Sequence, residues 1–355
     1  MSLPPVTVPT GAIRYNTDSN KMECFNGTKW MQVSVSSPDL GGNGNASTDP
    51  TGISADKDVG VRGITAGGVG GDSTWDTINY FNISTTGNAI DFGNLAYRQY
   101  LSSGTASRTR GIFMGGYTNS PSSTYINSIQ CLEIESTGSA SDFGNLSQTA
   151  GYTGTVGNQI RGVRLGGTAP ANPATTTTDY VTIATKGDAE PFGTLGHGTT
   201  HGGNINSSTR GIVAVNSDSY RQIEFITIPT TGNSVDFGQL SKGRGDGGGM
   251  SNPTRGIFTG GYQSPGLSPH MDYVTISTTG KSTEFGDLSL VVFREGNASS
   301  PTRGIISGGM SGSPWPGRNE IQYVQFATQG NTVDFGNLTI TQNEHGSCSN
   351  GHGGL

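Results

Sequence analysis

Between residues 62 and 340 the apolar positions return in short alternating runs broken by glycine, and six copies of one pattern can be laid over each other. Each copy opens on Arg-Gly-Ile or Arg-Gly-Val, with its glycine at Gly63, Gly111, Gly162, Gly211, Gly256 or Gly304. An alternating stretch follows, such as Met271-Asp272-Tyr273-Val274-Thr275-Ile276, then a turn glycine and a Phe-Gly-x-Leu such as Phe285-Gly286-Asp287-Leu288. Alternation with period two reads as strand, and no long glycine-free stretch carries a 3.6-residue apolar period. Each copy therefore predicts four strands, for example 247–252, 255–261, 271–276 and a last one ending at Leu288. From turn glycine to the glycine of Phe-Gly-x-Leu the interval is 6 residues in every copy, and from there to the next Arg-Gly glycine it is 18. Only the stretch from Arg-Gly to the turn varies, between 21 and 27 residues, so insertions are confined to the loop between the second and third strands.

A four-stranded sheet of under fifty residues cannot bury both faces alone, but packing each sheet on the next does so. The column Tyr80, Cys131, Tyr180, Phe225, Tyr273, Tyr323 and the column Ile83, Ile134, Ile183, Ile228, Ile276, Phe326 lie three residues apart. They therefore point to opposite faces of the third strand, as such packing requires. The predicted fold is all-β, a six-bladed β-propeller of four-stranded blades over residues 51–355. A further copy begins in phase at Ser349 to Leu355 and stops after its first strand. The C-terminal strand is expected to complete the first blade as its innermost strand and close the ring; the alternative is that residues 46–61 supply it.

Ahead of the repeats, residues 1–35 read as a small β-module: two strands around Asp18-Ser19-Asn20, then Asn26-Gly27 and a third strand carrying Trp30. A module of this size is not stable alone, so it is expected to attach to a partner or self-associate, with Ile13, Tyr15, Phe25 and Trp30 as candidate attachment residues. Residues 36–50, rich in Gly, Asn, Ser and Pro, read as a linker.

Composition narrows the function classes. The 58 glycines and 13 % charged residues fit many turns and short strands, and the net charge of −6 comes without a Lys/Arg cluster, so no nucleic-acid partner is expected. No apolar run approaches a membrane span, and the N-terminus lacks the basic start and apolar core of a secretory signal. Cys24, Cys131 and Cys348 are odd in number and far apart, which implies no disulfide framework.

The repeats resemble the kelch family of propellers, with Gly-Gly after strand two and an aromatic in strand four, although Phe-Gly-x-Leu stands where kelch repeats place a Trp. Tandem Thr-Arg-Gly-Ile and Asp-Phe-Gly-Asn-Leu are closer to the Gly/Thr-rich propellers of tailed bacteriophage particles, especially cyanophage-like ones. The segment from Gly11 to Trp30 resembles a short β-module of phage tail fibres. These resemblances imply a non-enzymatic virion structural protein, attached by its N-terminus and contacting other virion proteins in a tail, a fibre or a capsid decoration. They leave open a host receptor-binding protein that grips surface glycan or protein, for which a trimer is the common form, and more distantly a glycan hydrolase.

Candidate chemistry is sparse. Asp-Phe-Gly recurs with the repeats and lacks every other kinase element. Arg244-Gly245-Asp246 matches an integrin tripeptide by chance. His197, His201, His345 and His352 could line a channel, but in flexible Gly/Thr context no metal or cofactor is expected of them. The acids before Phe-Gly (Asp91, Asp142, Asp236, Glu284, Asp334) recur with the repeat, so a ring pairing with Arg62, Arg110, Arg210, Arg255 and Arg303 is expected rather than a paired-acid catalytic site. Nothing polar is expected to break the repeat symmetry. Asymmetry is expected in the loops between strands two and three, where Trp75, Tyr117, Tyr125, Tyr262, His270 and Trp315 are candidate contact residues.

Overall fold

In the computed structural model residues 9–10, 12–16, 21–32, 61–71, 73–172, 174–215, 221–263 and 265–355 are described. The linker expected at 36–50 lies outside them. Two compact units divide the chain, residues 1–59 and residues 60–355.

In the first unit the strands Ile13–Asn16, Lys21–Phe25 and Trp30–Gln32 form an antiparallel sheet with Ile13 opposite Cys24 and Phe25 opposite Trp30. The rings of Phe25 and Trp30 lie 5.4 Å apart, and Arg14 sits over Trp30 while pairing with Glu23 at 2.7 Å.

The second unit is all-β, and its described residues contain six four-stranded antiparallel sheets in a propeller-like arrangement. The first consists of Gly346–Ser349, Arg62–Ala66, Thr77–Asn82 and Ile90–Asn94; the second of Ser103–Ala106, Arg110–Thr118, Thr124–Glu133 and Ser141–Asn145. The third consists of Gly154–Gly157, Arg161–Leu165, Thr177–Thr182 and Glu190–Thr194; the fourth of Asn204–Asn206, Arg210–Ala214, Gln222–Thr227 and Val235–Gln239. The fifth consists of Gly248–Ser251, Arg255–Thr259, His270–Thr275 and Thr283–Asp287; the sixth of Gly296–Ser299, Arg303–Ser307, Glu320–Gln325 and Val333–Asn337. The strand expected to return from the C-terminal end pairs with Arg62–Ala66, Ser349 opposite Gly63 and Cys348 opposite Ile64, so the edge proposed alternatively for residues 46–61 is taken. Each sheet's first strand touches that of the next sheet, and Gly296–Ser299 in turn touches Gly346–Ser349.

Six apolar clusters each join two successive sheets. Tyr80, Phe92 and Ile78 pack with Phe113, Leu132 and Ile134, whereas Ile83 and Phe81 pack on the other side with Ile305, Phe335 and Leu338. The two columns three residues apart thus face opposite neighbours. In the fourth strands the phenylalanine of Phe-Gly-x-Leu is a β-bulge residue, since Ile78 is opposite Gly93 and Asn79 opposite Asp91, leaving Phe92 unpaired in the ladder. The bulge turns the ring into the cluster between sheets, where Phe92 is 3 % exposed.

Hydrogen bonds between neighbouring sheets account for the fixed spacings. The amide of turn glycine Gly138 donates to the carbonyl of Phe92, Gly187 to Phe143, Gly232 to Phe192, Gly280 to Phe237, Gly330 to Phe285, and Gly87 to Phe335. Each Phe-Gly glycine lies against the following turn: Gly93 has φ 144°, and a Cβ there would sit 2.5 Å from the Gly138 carbonyl oxygen. Only glycine tolerates both conditions. The interval of 18 is held by a buried polar column on the third strands (Asn79, Gln130, Asp179, Glu224, Asp272, Gln322) that clamps the connection arriving from the preceding sheet. Gln130 accepts from the Ala96 amide at 2.7 Å, Asp179 from the Ser147 hydroxyl at 2.8 Å, Glu224 from the Gly196 amide at 2.9 Å and Gln322 from the Leu290 amide at 2.9 Å. Asp179 also pairs with fully buried Arg164, and Asp272 with Arg244 at 2.7 Å. Arg244 is therefore locked inside, which removes the integrin-type reading of Arg244-Gly245-Asp246.

The expected pairing of the Arg-Gly arginines with the acids before Phe-Gly is not what forms. Arg62 donates to the carbonyl of Ile134 in the next sheet, Arg210 to Ile276 and Arg303 to Ile83, each at 2.7 to 3.1 Å. Their guanidinium groups stack on Tyr80, Phe225 and Tyr323 at about 5 Å. A carbonyl of the neighbouring sheet lies within reach of an arginine pinned over its own third-strand ring. In the second sheet Cys131 occupies the ring position; Arg110 still donates to the Ile183 carbonyl at 2.9 Å and also pairs with Glu133 at 2.9 Å.

Candidate functional site

Seven described non-glycine residues have positive φ, a conformation that side chains adopt at a cost. Six form one column, ten residues before Gly111, Gly162, Gly211, Gly256, Gly304 and Gly354: Leu101, Tyr152, His201, Asp246, Arg294 and Glu344, with φ between 45° and 59°. Each stands just before an innermost strand. The amide of Leu101 donates to Glu344, Tyr152 to Leu101, His201 to Tyr152, Arg294 to Asp246 and Glu344 to Arg294, so these backbones are strung together around one mouth of a central channel. Four of the six, with the innermost strands, line a cavity of about 130 Å³.

The mouth breaks the repeat symmetry with charge, which overturns the expectation that nothing polar does so. Arg294 lies between two acids, with Nη1 on Glu344 and Nη2 3.4 Å from Asp246. His201 Nδ1 stands 3.4 Å from the other Asp246 oxygen, and its ring meets Tyr152 edge-on at 4.1 Å. Burial pushes the Asp246 carboxyl up, but the His201 and Arg294 contacts outweigh it and hold it below the usual value. Burial likewise opposes the charge on Arg294, and Asp246 with Glu344 raises it nonetheless. Tyr152 is pushed up to about 12, mainly by burial.

Below the mouth lie Glu295 and His345. Glu295 accepts from the Gly248 amide at 3.1 Å and the Thr259 hydroxyl at 2.9 Å, and burial pushes its carboxyl up to about 7. Burial lowers His345 to about 4. The far end is crossed by residues 350–355, where His352 Nε2–H donates to the Ala106 carbonyl at 2.7 Å and Nδ1 accepts from Asn206 at 2.9 Å and from the Gly354 amide at 3.1 Å. Burial lowers this imidazole to about 4, against the Ala106 hydrogen bond, which favours the protonated form.

Aromatic residues flank the mouth, not all of them in the expected loops: Tyr117 and Tyr125 belong to the strands Arg110–Thr118 and Thr124–Glu133, and His270 opens His270–Thr275. Tyr100 precedes Leu101 and packs with Tyr117, which packs with Tyr125 at 4.9 Å. Phe293 precedes Arg294 and packs with Trp315 at 5.3 Å and Tyr262 at 6.5 Å. Backbone bridges Tyr100–Tyr117, Gly245–Tyr262 and Phe293–Met310 tie these loops to the connections that carry the mouth residues. Trp315, 41 % exposed, is the seventh non-glycine residue with positive φ, at 72°. The other two candidates stand apart from these clusters. Trp75 lies over Gly70, and His270 faces Asp287 at 2.9 Å with Lys242 on its other ring nitrogen.

Among the described residues, the group whose ligand atoms converge as metal sites require is His270, Glu284 and Asp287 at the surface, where Lys242 already occupies the second imidazole nitrogen. Of the four histidines considered from sequence, His197 pairs with Glu224 at 2.5 Å, while His201, His345 and His352 lie at different depths of the channel. In the first unit Ile13 is 64 % exposed, Phe25 and Trp30 are half-buried against each other, and the side chain of Tyr15 lies outside the described residues.

No protein-family model matches the chain, and no curated protein matches it.

Proposed function

We propose that residues 60–355 close into a six-bladed kelch-like propeller, and that the chain is a non-enzymatic structural protein of a tailed-phage particle. The unit before residue 60 attaches it, and the propeller meets neighbouring subunits through the face that carries the variable loops. The observation that carries this reading is the division of the repeat. Elements common to all copies hold sheet to sheet, while the Tyr262–Phe293–Trp315 and Tyr100–Tyr117–Tyr125 clusters differ from copy to copy and share the face of the mouth. Aromatic residues held half-exposed on a rigid scaffold suit contact with another surface. The virion assignment itself rests on the resemblance of the repeats and of the N-terminal segment to phage-particle proteins. Labelling the N-terminus and imaging purified particles tests it: label at a reproducible position on the particle is expected, and label absent from particles overturns it.

A second reading, host recognition, is favoured by Trp315, a bulky residue held at φ 72° and still 41 % exposed. On that reading Trp315→Ala particles assemble normally and lose adsorption to host cells; on the structural reading the loss is in assembly.

A further inference from the structure

The central channel is lined by polar side chains of which single atoms are left without partners. Ser102 Oγ, Asn204 Oδ1, Arg294 Nε, Glu295 Oε2, His345 Nδ1 and Ser347 Oγ are each shut off from solvent, have no hydrogen-bond partner, and belong to residues lining the one cavity. Ser102 is 7 % and His345 5 % exposed. Unpartnered buried polar groups are costly, and a polar molecule in the cavity that these residues line would supply the missing partners once the side chains turn towards it.

Their chemistry narrows what fits. Asn204 Oδ1 accepts, because the amide nitrogen of that side chain already donates to the Gly202 carbonyl. His345 Nδ1 also accepts: the Ser307 hydroxyl donates to the Gly296 carbonyl, so its oxygen takes the proton of His345 Nε2 and leaves the lone pair on Nδ1. Arg294 Nε–H donates, and the two serine hydroxyls do either. A partner must therefore donate and accept at several points within a small volume, as a set of hydroxyl groups does. An anion is disfavoured by Asp246, Glu344 and Glu295 around it. Among the described residues no convergent set of metal ligands lies here. A bare ion would also leave most of the space empty, since about 130 Å³ corresponds to about four waters at liquid density. With residues 350–355 across the far end, entry is past Tyr152, His201, Asp246, Arg294 and Glu344.

We propose that this channel is a binding site for a neutral polyhydroxylated molecule, the terminal sugar unit of a glycan, which enters past the charged mouth and hydrogen-bonds to Ser102, Asn204, Glu295, His345 and Ser347 as those side chains turn towards it. The site rests on the channel alone and stands whether or not the protein sits on a particle.

The test is calorimetry and saturation-transfer NMR on the full chain with D-glucose, D-galactose, N-acetyl-D-glucosamine, spermidine and D-glucuronate at up to 10 mM. At least one neutral sugar is expected to bind, with affinity falling about tenfold in Ser347→Val and about fivefold in Asn204→Ala, the loss of one hydrogen bond. Melting temperature establishes that each variant is folded, and Asn204→Ala, which adds no bulk, carries the test if Ser347→Val does not fold. Binding of spermidine or glucuronate without a neutral sugar overturns the ligand class. Binding of none of the probes overturns the site, and sugar binding unchanged in Asn204→Ala overturns its location.

Discussion

Replacing Glu295 with glutamine isolates one buried acid. The Glu295 carboxyl is moved from 4.5 to about 7 by burial, against the pull of the Thr259 and Gly248 hydrogen bonds and of Arg244. A folded-state value raised above the unfolded one means the folded protein binds the proton more tightly. The stability tied to this group is therefore whole below about 4.5 and is lost as pH rises through about 7. A displacement of about 2.5 at about 1.4 kcal/mol for each unit corresponds to roughly 3 kcal/mol across that window. Glutamine keeps an oxygen for the Thr259 and Gly248 donors, and its amide takes the place of the protonated oxygen, but it does not ionise. Glu295→Gln is thus expected to exceed the parent protein by less than about 1 kcal/mol at pH 5 and by about 3 kcal/mol at pH 8. Urea unfolding at the two pH values, at matched ionic strength and with equal m-values, measures this. His345 and His352 are common to both proteins, so their titration cancels in the comparison. An equal difference at pH 5 and pH 8, or a variant less stable at pH 8, would refute a buried, reluctantly ionised carboxyl at this position.

Other perturbations test separate parts of the fold. Deleting residues 345–355 removes the strand paired with Arg62–Ala66 and the tail across the channel; a large drop in melting temperature or association between copies is expected, and an unchanged melting temperature and monomer mass would show that this strand does not hold the ring. Asp179→Asn leaves the Arg164 guanidinium buried without its charge partner and is expected to cost about 3 to 5 kcal/mol, whereas Arg164→Met with Asp179→Leu should recover most of it; denaturant unfolding of both variants decides. His352, lowered to about 4 by burial, leaves stability whole above its unfolded value near 6.5 and removes it as pH falls towards 4, so His352→Gln is expected to lose less stability than the parent between pH 7 and pH 4.5 in thermal melts.

The sheet count and the return of the C-terminal strand were legible because the repeat carries them in residue identity. Arg-Gly, the turn glycine and Phe-Gly-x-Leu are the same in every copy, and each makes the same backbone contact. The buried polar column escaped because each copy meets the same demand with different chemistry: Asn79 and Gln130 use an amide, Asp179 a carboxylate backed by an arginine, and Glu224 a carboxylate that also takes a histidine. Simple alternation also misreads these positions, because the bulge at Phe-Gly and a neighbour on each face bury successive residues such as Met271 and Asp272 together. The arginine ring was misassigned for a related reason. Sequence shows only that an acid recurs near an arginine, not that a carbonyl of the next sheet lies closer.

The mouth residues were hidden more deeply, since Leu, Tyr, His, Asp, Arg and Glu have nothing in common except a place ten residues before an Arg-Gly glycine or, for Glu344, before Gly354. That place demands φ near +50°, which glycine adopts without the strain a side chain brings. Glycine is abundant everywhere else in this chain, yet the described residues keep a side chain at all six positions. Strain of order 1 kcal/mol at each position persists only where a side chain returns something. Tyr152, His201, Asp246, Arg294 and Glu344 interlock across five successive copies, which strain relief alone would not select, and together they border the channel whose polar atoms lack partners. The buried polar column also differs between copies, but there each copy answers the same structural demand, whereas the mouth residues serve no demand common to all copies, so the mouth is where a ligand or partner is to be sought.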